Sequence, residues 1–444
     1  MFILRDLLQP LQDCFPGNKS GKERGIWFVY TLLCVMIHFT SARTSNLLRA
    51  METLFGFKIG QRRFYAFMDS PKLPWAQLWV KLWSAMFSSS DINEHVLLAM
   101  DDFINPKTGK NIFGCASVFD HAAKINQSSY PWAQNILLIG MLKQIKGRWA
   151  CLPMAFRYYH MQKTIDAGQV MIKGKVPAFQ TKFEQAVEML CEIAKALPGR
   201  SFLIVTDSWF GNNGLFKPMR QALGITANLL SRLRSNSTLF ELPSQPIGKK
   251  AGRPNKYGNK TGNATSLASD FKSQAQTYSV NLYGKQRDIL AYSQIMMLKT
   301  LKCSVRVVWV YRKTQWVALF TTDLTLSVEQ IVEYYGARWK IEAGFKELKQ
   351  EIGSSKSQTR NFNAVINHLH FCTMAATITW LYAERLNHTP LRCHPVIGRK
   401  LFAFSDIRKL ITQVALDKDF DRVFPKPVIP THNSFIQALL RMVA

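Results

Sequence analysis

Residues 96–102 read VLLAMDD: five apolar residues, Val96 to Met100, that stop on the acid pair Asp101-Asp102. A continuous apolar run of that length predicts a buried strand, and an acid at its end is delivered to the edge of a sheet. The pattern returns at residues 202–207, FLIVTD, where Phe202 to Thr206 forms the run and Asp207 ends it. The chain holds only 29 acidic residues, so two such endings call for explanation. An aspartate at a strand end is also a common turn former or helix cap, and Asp207-Ser208 ahead of a helix is open to that reading.

Two more strands are predicted around Asn135 to Leu142 and Trp149 to Tyr158, joined by the basic turn Lys143 to Arg148. A helix follows from Lys182 to Leu197, stopped by Pro198-Gly199; a second runs from Asn212 to Leu223, and a fifth strand from Ile225 to Leu230. Three strands, helix, strand, helix, strand is the order of a ribonuclease-H-like domain. In that arrangement acids ending the first and fourth strands meet an acid from a last helix.

The last helix is predicted from Ser327 to Gly353. Ser327 and Gln330 form a capping box, and Gly353 is a C-terminal stop. Ile341, Phe345, Leu348 and Ile352 give it, with Tyr334, an apolar stripe. Tyr335, Arg338, Glu342 and Lys349 recur at steps of three, four and seven, which at about 100° per residue return to one stripe beside it. Solvated salt bridges are one account of that stripe; a surface that meets phosphate and metal is the other. Gly336 and Gly344 each weaken the helix by roughly 1 kcal/mol relative to Ala, so a bend is expected near one of them.

About a hundred residues separate the fifth strand from this helix. They open with the basic loop Gly248 to Gly262, holding Lys249, Lys250 and Arg253, and continue as strand-like runs at Tyr278–Tyr283, Asp288–Met297, Ser304–Tyr311 and Trp316–Thr322. The expected organisation is therefore a helical N-terminal domain (1–93), the first part of a catalytic core (94–233), an inserted mostly-β subdomain (234–326), the final core helix (327–360) and a helical C-terminal region (361–444). The fold class is α/β, a ribonuclease-H-like mixed sheet with a β insertion and helical ends. Arg62, Arg63 and Lys72 near a turn of the N-terminal helices suit a DNA-binding unit or a plain structural one.

Formal net charge is +28, from 57 Lys and Arg against 29 Asp and Glu. Such a field concentrates polyanions, so nucleic acid is the expected partner, ahead of an anionic membrane surface. Eight scattered cysteines without a CxxC pair argue against a structural zinc site and a disulfide framework and fit a reducing cytosol. The apolar run Ile26 to Phe39 is short of the roughly twenty residues a membrane span needs, and is read as a buried helix rather than a signal peptide.

Cutting or transferring a phosphodiester needs an activated oxygen nucleophile, a stabilised leaving oxygen and neutralised charge at phosphorus. Two Mg2+ (or Mn2+) ions about 3.5 to 4 Å apart supply all three, held by carboxylates. Asp101 or Asp102, Asp207 and Glu342 fit that demand.

Here the residues reach a resemblance. Tyr335-x2-Arg338-x3-Glu342-x6-Lys349, with the text YGARWKIE around it, resembles the signature of DDE transposases of the insertion-sequence-four-like group. LLAMDDFINPKTGKNIFG (97–114) and IVTDSW (204–209) are similar to the family's first and second acidic motifs. The resemblance implies that Asp207 and Glu342 ligate metal and that Tyr335, Arg338 and Lys349 hold backbone phosphates. The family has Thr or Ser two residues after its first acid, whereas Asp101 is followed by Phe103, so Asp101 and Asp102 both stay candidates; Asp101, directly after the strand, is favoured. Trp316 stands where related enzymes stack a flipped base, and packing on a hairpin is its other account. Lys249, Lys250 and Arg253 resemble a minor-groove arm or a solvated basic loop. The implied activity is cut-and-paste transposition by a homodimer on double-stranded DNA, both element ends and target, in the cytoplasm on the nucleoid. A ribonuclease-H-like nuclease and a non-catalytic DNA-binding descendant are the rivals.

Overall fold

The computed structural model describes residues 1–87, 95–120, 123–243, 255–395, 397, 401–417, 419–420 and 424. Five helices lead: α1 (Phe2–Gln12), α2 (Lys19–Met36), α3 (Thr44–Phe55), α4 (Gln61–Met68) and α5 (Trp75–Ser84). There follow β1 (Val96–Pro106), β2 (Cys115–Ser117), β3 (Trp132–Ile145), β4 (Arg148–Tyr159), α6 (Gln162–Asp166), α7 (Lys182–Ala196), β5 (Phe202–Thr206), α8 (Asn213–Leu223) and β6 (Ala227–Arg232). β1 pairs antiparallel with β3, and β3 with β4; on its other side β1 runs parallel to β5, and β5 to β6. β5 is buried on both faces, as its unbroken apolar run requires, and the antiparallel β3 and β4 are buried on both faces along most of their length as well.

β1 departs from expectation. The apolar run was expected to end the strand at Met100, but β1 continues to Pro106 because β3 offers partners all the way, to Pro106↔Ala133. Only the parallel side ends early, at Ala99↔Val205. The acids therefore sit inside a strand, at the point where it loses one neighbour and keeps the other.

The strands beyond β6 are β7 (Thr238–Phe240), β8 (Lys260–Asn263), β9 (Gln276–Leu282), β10 (Lys285–Leu298), β11 (Cys303–Arg312) and β12 (Gln315–Thr321), with α9 (Ala264–Asp270) between β8 and β9. Rather than standing apart, they extend the same sheet, since β12 pairs antiparallel with β6 through Phe320↔Ser231. The order is β2-β3-β1-β5-β6-β12-β11-β10-β7-β8, with β4 on β3 and β9 on β10. The hairpin read at Arg312 to Gln315 is present, its turn made by Lys313 at φ 46°.

α7 packs on β3 and β4, and α8 on β6. The segment expected as one helix is α10 (Val328–Arg338), α11 (Lys340–Lys346) and a wide π turn (Glu347–Ile352). Its ends agree with the sequence: the Ser327–Gln330 box closes at 2.9 and 3.2 Å, and Gly353 takes φ +84°. The interruption falls at Trp339, three residues beyond Gly336. α10 lies on β9 and β12 while α11 lies on β1 and β4, so each half follows its own part of a twisted sheet. Gly336 serves close approach instead: a Cβ there would stand 2.7 Å from Leu282 Cδ2.

α12 (Phe362–Arg385) and α13 (Phe404–Ala415) follow. α12 is buried along almost its whole length, between the sheet and the N-terminal helices. Thr377 Oγ1 donates to Pro153 O of β4 at 2.6 Å. On the opposite side Trp75 Nε1 donates to Asn367 Oδ1 at 2.7 Å, and Asn367 Nδ2 donates to the carbonyls of Met68 and Ser70 at 2.8 and 2.9 Å. The apolar run of α2 is interior, with Phe28 to Ile37 fully buried. Among the described residues no helix is long and apolar enough to cross a membrane.

Candidate active site

Extending the β1–β5 register by two residues sets Asp101 opposite Asp207, at the end where the parallel strands part. Strand side chains alternate between faces, so Asp101 and Asp102 point apart. Asp101 turns toward α10 and α11, its Oδ2 3.4 Å from Arg338 Nη1. Asp102 turns toward α7, where Lys182 Nζ lies 2.8 Å from Oδ2 with the Tyr159 and Trp209 rings beside the ammonium.

Asp207 does what a turn former does, with one oxygen. Its Oδ1 accepts the N–H groups of Trp209 and Phe210, both at 3.0 Å. The turn is tied to β6 by Ser231 Oγ donating to Asp207 O at 2.7 Å, a contact that requires Gly211, since a Cβ there would stand 2.2 Å from that hydroxyl. The carboxyl is thereby fixed in direction while its second oxygen stays clear of the turn.

Glu342 lies in the first turn of α11, one-third exposed, and its Oε1 accepts from Arg338 Nη2 at 3.1 Å. Arg338 thus bridges Asp101 and Glu342. The charge of Asp207 reaches both acids. Burial pushes the Asp101 carboxyl up to about 7, Asp207 pushes the same way, and Arg338 opposes them. Burial also raises Glu342, Arg338 lowers it, and Asp207 adds to the rise. Tyr335 is raised by burial, against the pull of Arg338 and Arg232, and the Arg338 guanidinium stands 5.7 Å from its ring centre.

Arg338 therefore ties Asp101 to Glu342, and the charge of Asp207 reaches both acids and Tyr335. Lys349 lies in the π turn, beyond the break in the helix. The break at Trp339 and the π turn change its phase, and its ammonium lies 5.9 Å from the Phe103 ring centre, where burial lowers its pKa and Asp120 raises it. Trp316 lines a groove of about 320 Å³ together with Tyr335, Arg232, Arg312 and Tyr283. Lys249, Lys250 and Arg253 lie outside the described residues. Sequence reasoning missed Arg232, although it ends the third parallel strand at the same edge as the two aspartates, and it missed Lys182, which follows the Thr181 cap of α7.

The donors are hard carboxylate oxygens, the kind a divalent metal takes. Among the described residues no three His, Cys, Asp or Glu side chains are drawn together closely enough to hold a metal as they stand. Arg338 is the cation joined to two of the three acids.

No curated protein matches the chain. A family model described as Transposase DDE domain matches residues 155–378, half of the chain, from within β4 to within α12. Asp207 and Glu342 fall inside that span and Asp101 ahead of it; by this match the chain belongs to the DDE-domain transposases.

Proposed function

We propose that this protein is a DNA transposase that cuts and rejoins strands at the ends of a mobile element. What supports the reading is geometric: the β1–β5 register brings Asp101 beside Asp207 where the parallel strands part, and Arg338 joins Asp101 to Glu342. The five strands β1, β3, β4, β5 and β6 and the helices on them serve as a ribonuclease-H-like core, the strands from β7 to β12 as its insertion, and the helical N-terminal residues as the unit that recognises element ends. A net charge of +28 suits double-stranded DNA as substrate and target. Two ends must be handled together, which calls for a homodimer on DNA, working in the cytoplasm at the nucleoid.

Asp101, the clear oxygen of Asp207 and Glu342 would hold the metal, with Asp102 kept from it by strand phase. A bound pair of Mg2+ or Mn2+ ions supplies Lewis acidity and neutralises charge at phosphorus. The chain's own side chains position the DNA: Tyr335, Arg338 and Arg232 meet the backbone near the cut, Lys349 meets it farther along, and Trp316 stacks in the groove beside Tyr335. In the first step water attacks phosphorus, one P–O bond forms, the bond to O3′ breaks, and the proton lost by water is balanced by the one O3′ gains. The freed 3′-hydroxyl then attacks a second phosphodiester in line: a new P–O bond to O3′ forms, the P–O bond opposite it breaks, and the proton lost by the hydroxyl is balanced by the one the departing oxygen gains.

The test is incubation with Mg2+ and a duplex carrying the element's own end. Wild type should yield cut ends and strand-transfer products, whereas Asp207→Asn should bind the duplex and leave it intact. Equal cutting by the variant overturns the proposal; cutting by wild type without strand transfer marks a nuclease instead.

A further inference from the structure

Arg338 is 7% exposed, and its two terminal nitrogens face carboxylates on different elements, Asp101 on β1 at 3.4 Å and Glu342 on α11 at 3.1 Å. Its Nε is buried and donates to no partner among the described residues. The rings of Tyr335 and Trp339 flank the guanidinium at 5.7 and 5.8 Å. Arg338 is also the last residue of α10, whereas Glu342 lies beyond the break at Trp339, so the bridge spans a helix joint.

This arrangement is incomplete as a resting place for a guanidinium. The contact to Asp101 is long for a charge-assisted bond, and a buried donor without a partner is unfavourable. A phosphate would engage the fork through Nε and Nη2 together, which these two separated carboxylates do not. The same carboxylates are the ones a divalent cation would need. A cation and a guanidinium on one carboxylate oxygen repel, and in a pocket this buried the repulsion is weakly screened.

We infer that Arg338 is a displaceable counter-charge: without divalent cation it neutralises Asp101 and Glu342, and cation loading drives its guanidinium off them toward the DNA backbone. The inference rests on the metal-holding role given above to these acids. Arg338 is then a positioning residue with two stations, holding the acids together in the empty pocket and presenting its fork only once the pocket is charged. A clamp that stays in place when cations bind makes the opposite prediction, because its removal would loosen the acids and weaken binding.

The deciding experiment titrates Mn2+ alone, without DNA, into wild type, Arg338→Gln, Arg338→Lys and the double variant Arg338→Gln/Glu342→Gln, by calorimetry, with melting temperatures taken with and without Mn2+. Displacement predicts Mn2+ binding about tenfold tighter in Arg338→Gln than in wild type. It also predicts a lower melting temperature for that variant without Mn2+ and a larger rise when Mn2+ is added. Arg338→Lys, which keeps the charge, should bind as wild type does. Equal or weaker binding by Arg338→Gln, with binding lost in the double variant, overturns displacement and leaves the metal role standing. No saturable binding by Arg338→Gln, or binding undiminished in the double variant, removes the metal role itself and the inference with it.

Discussion

Glu342 and Glu347 lie on the same broken helical segment, and each faces an arginine, yet their surroundings differ in kind. Glu347 is enclosed: its Oε2 accepts from Trp380 Nε1 at 3.1 Å, its Oε1 lies 3.9 Å from Arg148 Nη2, and the Arg148 guanidinium packs 5.1 Å from the Trp380 ring centre. Burial pushes that carboxyl up to about 7, against the pull of Arg148. Glu342 is one-third exposed, shares its arginine with a second acid, and feels a third. A displaced pKa is therefore a poor guide to which is the site. An arginine shared by two acids, with a third acid near, is what sets Glu342 apart from a glutamate that has an arginine of its own.

The largest effect should separate the two glutamates by activity. Glu342→Gln should lower strand cleavage by at least about a hundredfold while leaving the urea midpoint near that of wild type. Glu347→Gln should cut within about threefold of wild type. Equal loss in both would mean that the enclosed acid belongs to the chemistry and that the contrast is false.

A smaller effect sharpens the enclosed side. Native Glu347 holds its proton to about 7, against an ordinary value of 4.5, so between those pH values the native state binds a proton that the unfolded chain releases. Its contribution is present in full below pH 4.5 and is lost as pH rises through 7. Relative to wild type, Glu347→Gln should gain stability from pH 5 to pH 8 by about 2 kcal/mol, read from urea unfolding at each pH. A flat difference would show that Arg148 keeps the carboxylate charged throughout.

The smallest effect is that of Asp102→Asn, on β1. Asp102→Asn, which breaks the pair with Lys182 on the far face of the strand, should leave cleavage within about threefold of wild type, whereas Asp101→Asn should abolish it. Comparable losses would mean that strand phase does not decide which acid acts.

How much of this could be read from residues alone depends on how local each signal is. β5 spans the residues expected of it, Phe202–Thr206, because an apolar run closed by an acid is a local pattern. The Ser327 box and Gly353 are local as well. β1 was read short because aspartate is rare in strands, and only the distant β3 keeps Asp101 and Asp102 in the ladder. The pairing of β12 with β6 and the break at Trp339 depend on sheet neighbours far away in sequence. The pocket was legible as a list of acids. What the list could not contain is Arg338 turned inward onto two of them, since its helical spacing from Glu342 is visible in sequence and its reach to β1 is not.

The interior position of α12 has a consequence for synthesis. Trp75 and its partner Asn367 are 292 residues apart, a stretch that a ribosome takes roughly 15 to 60 seconds to add at about 5–20 residues per second. Until then the faces of the amino-terminal helices that pack on α12 are uncovered, so these helices wait for a segment made some 292 residues later. Excised alone, they would carry that same bare surface.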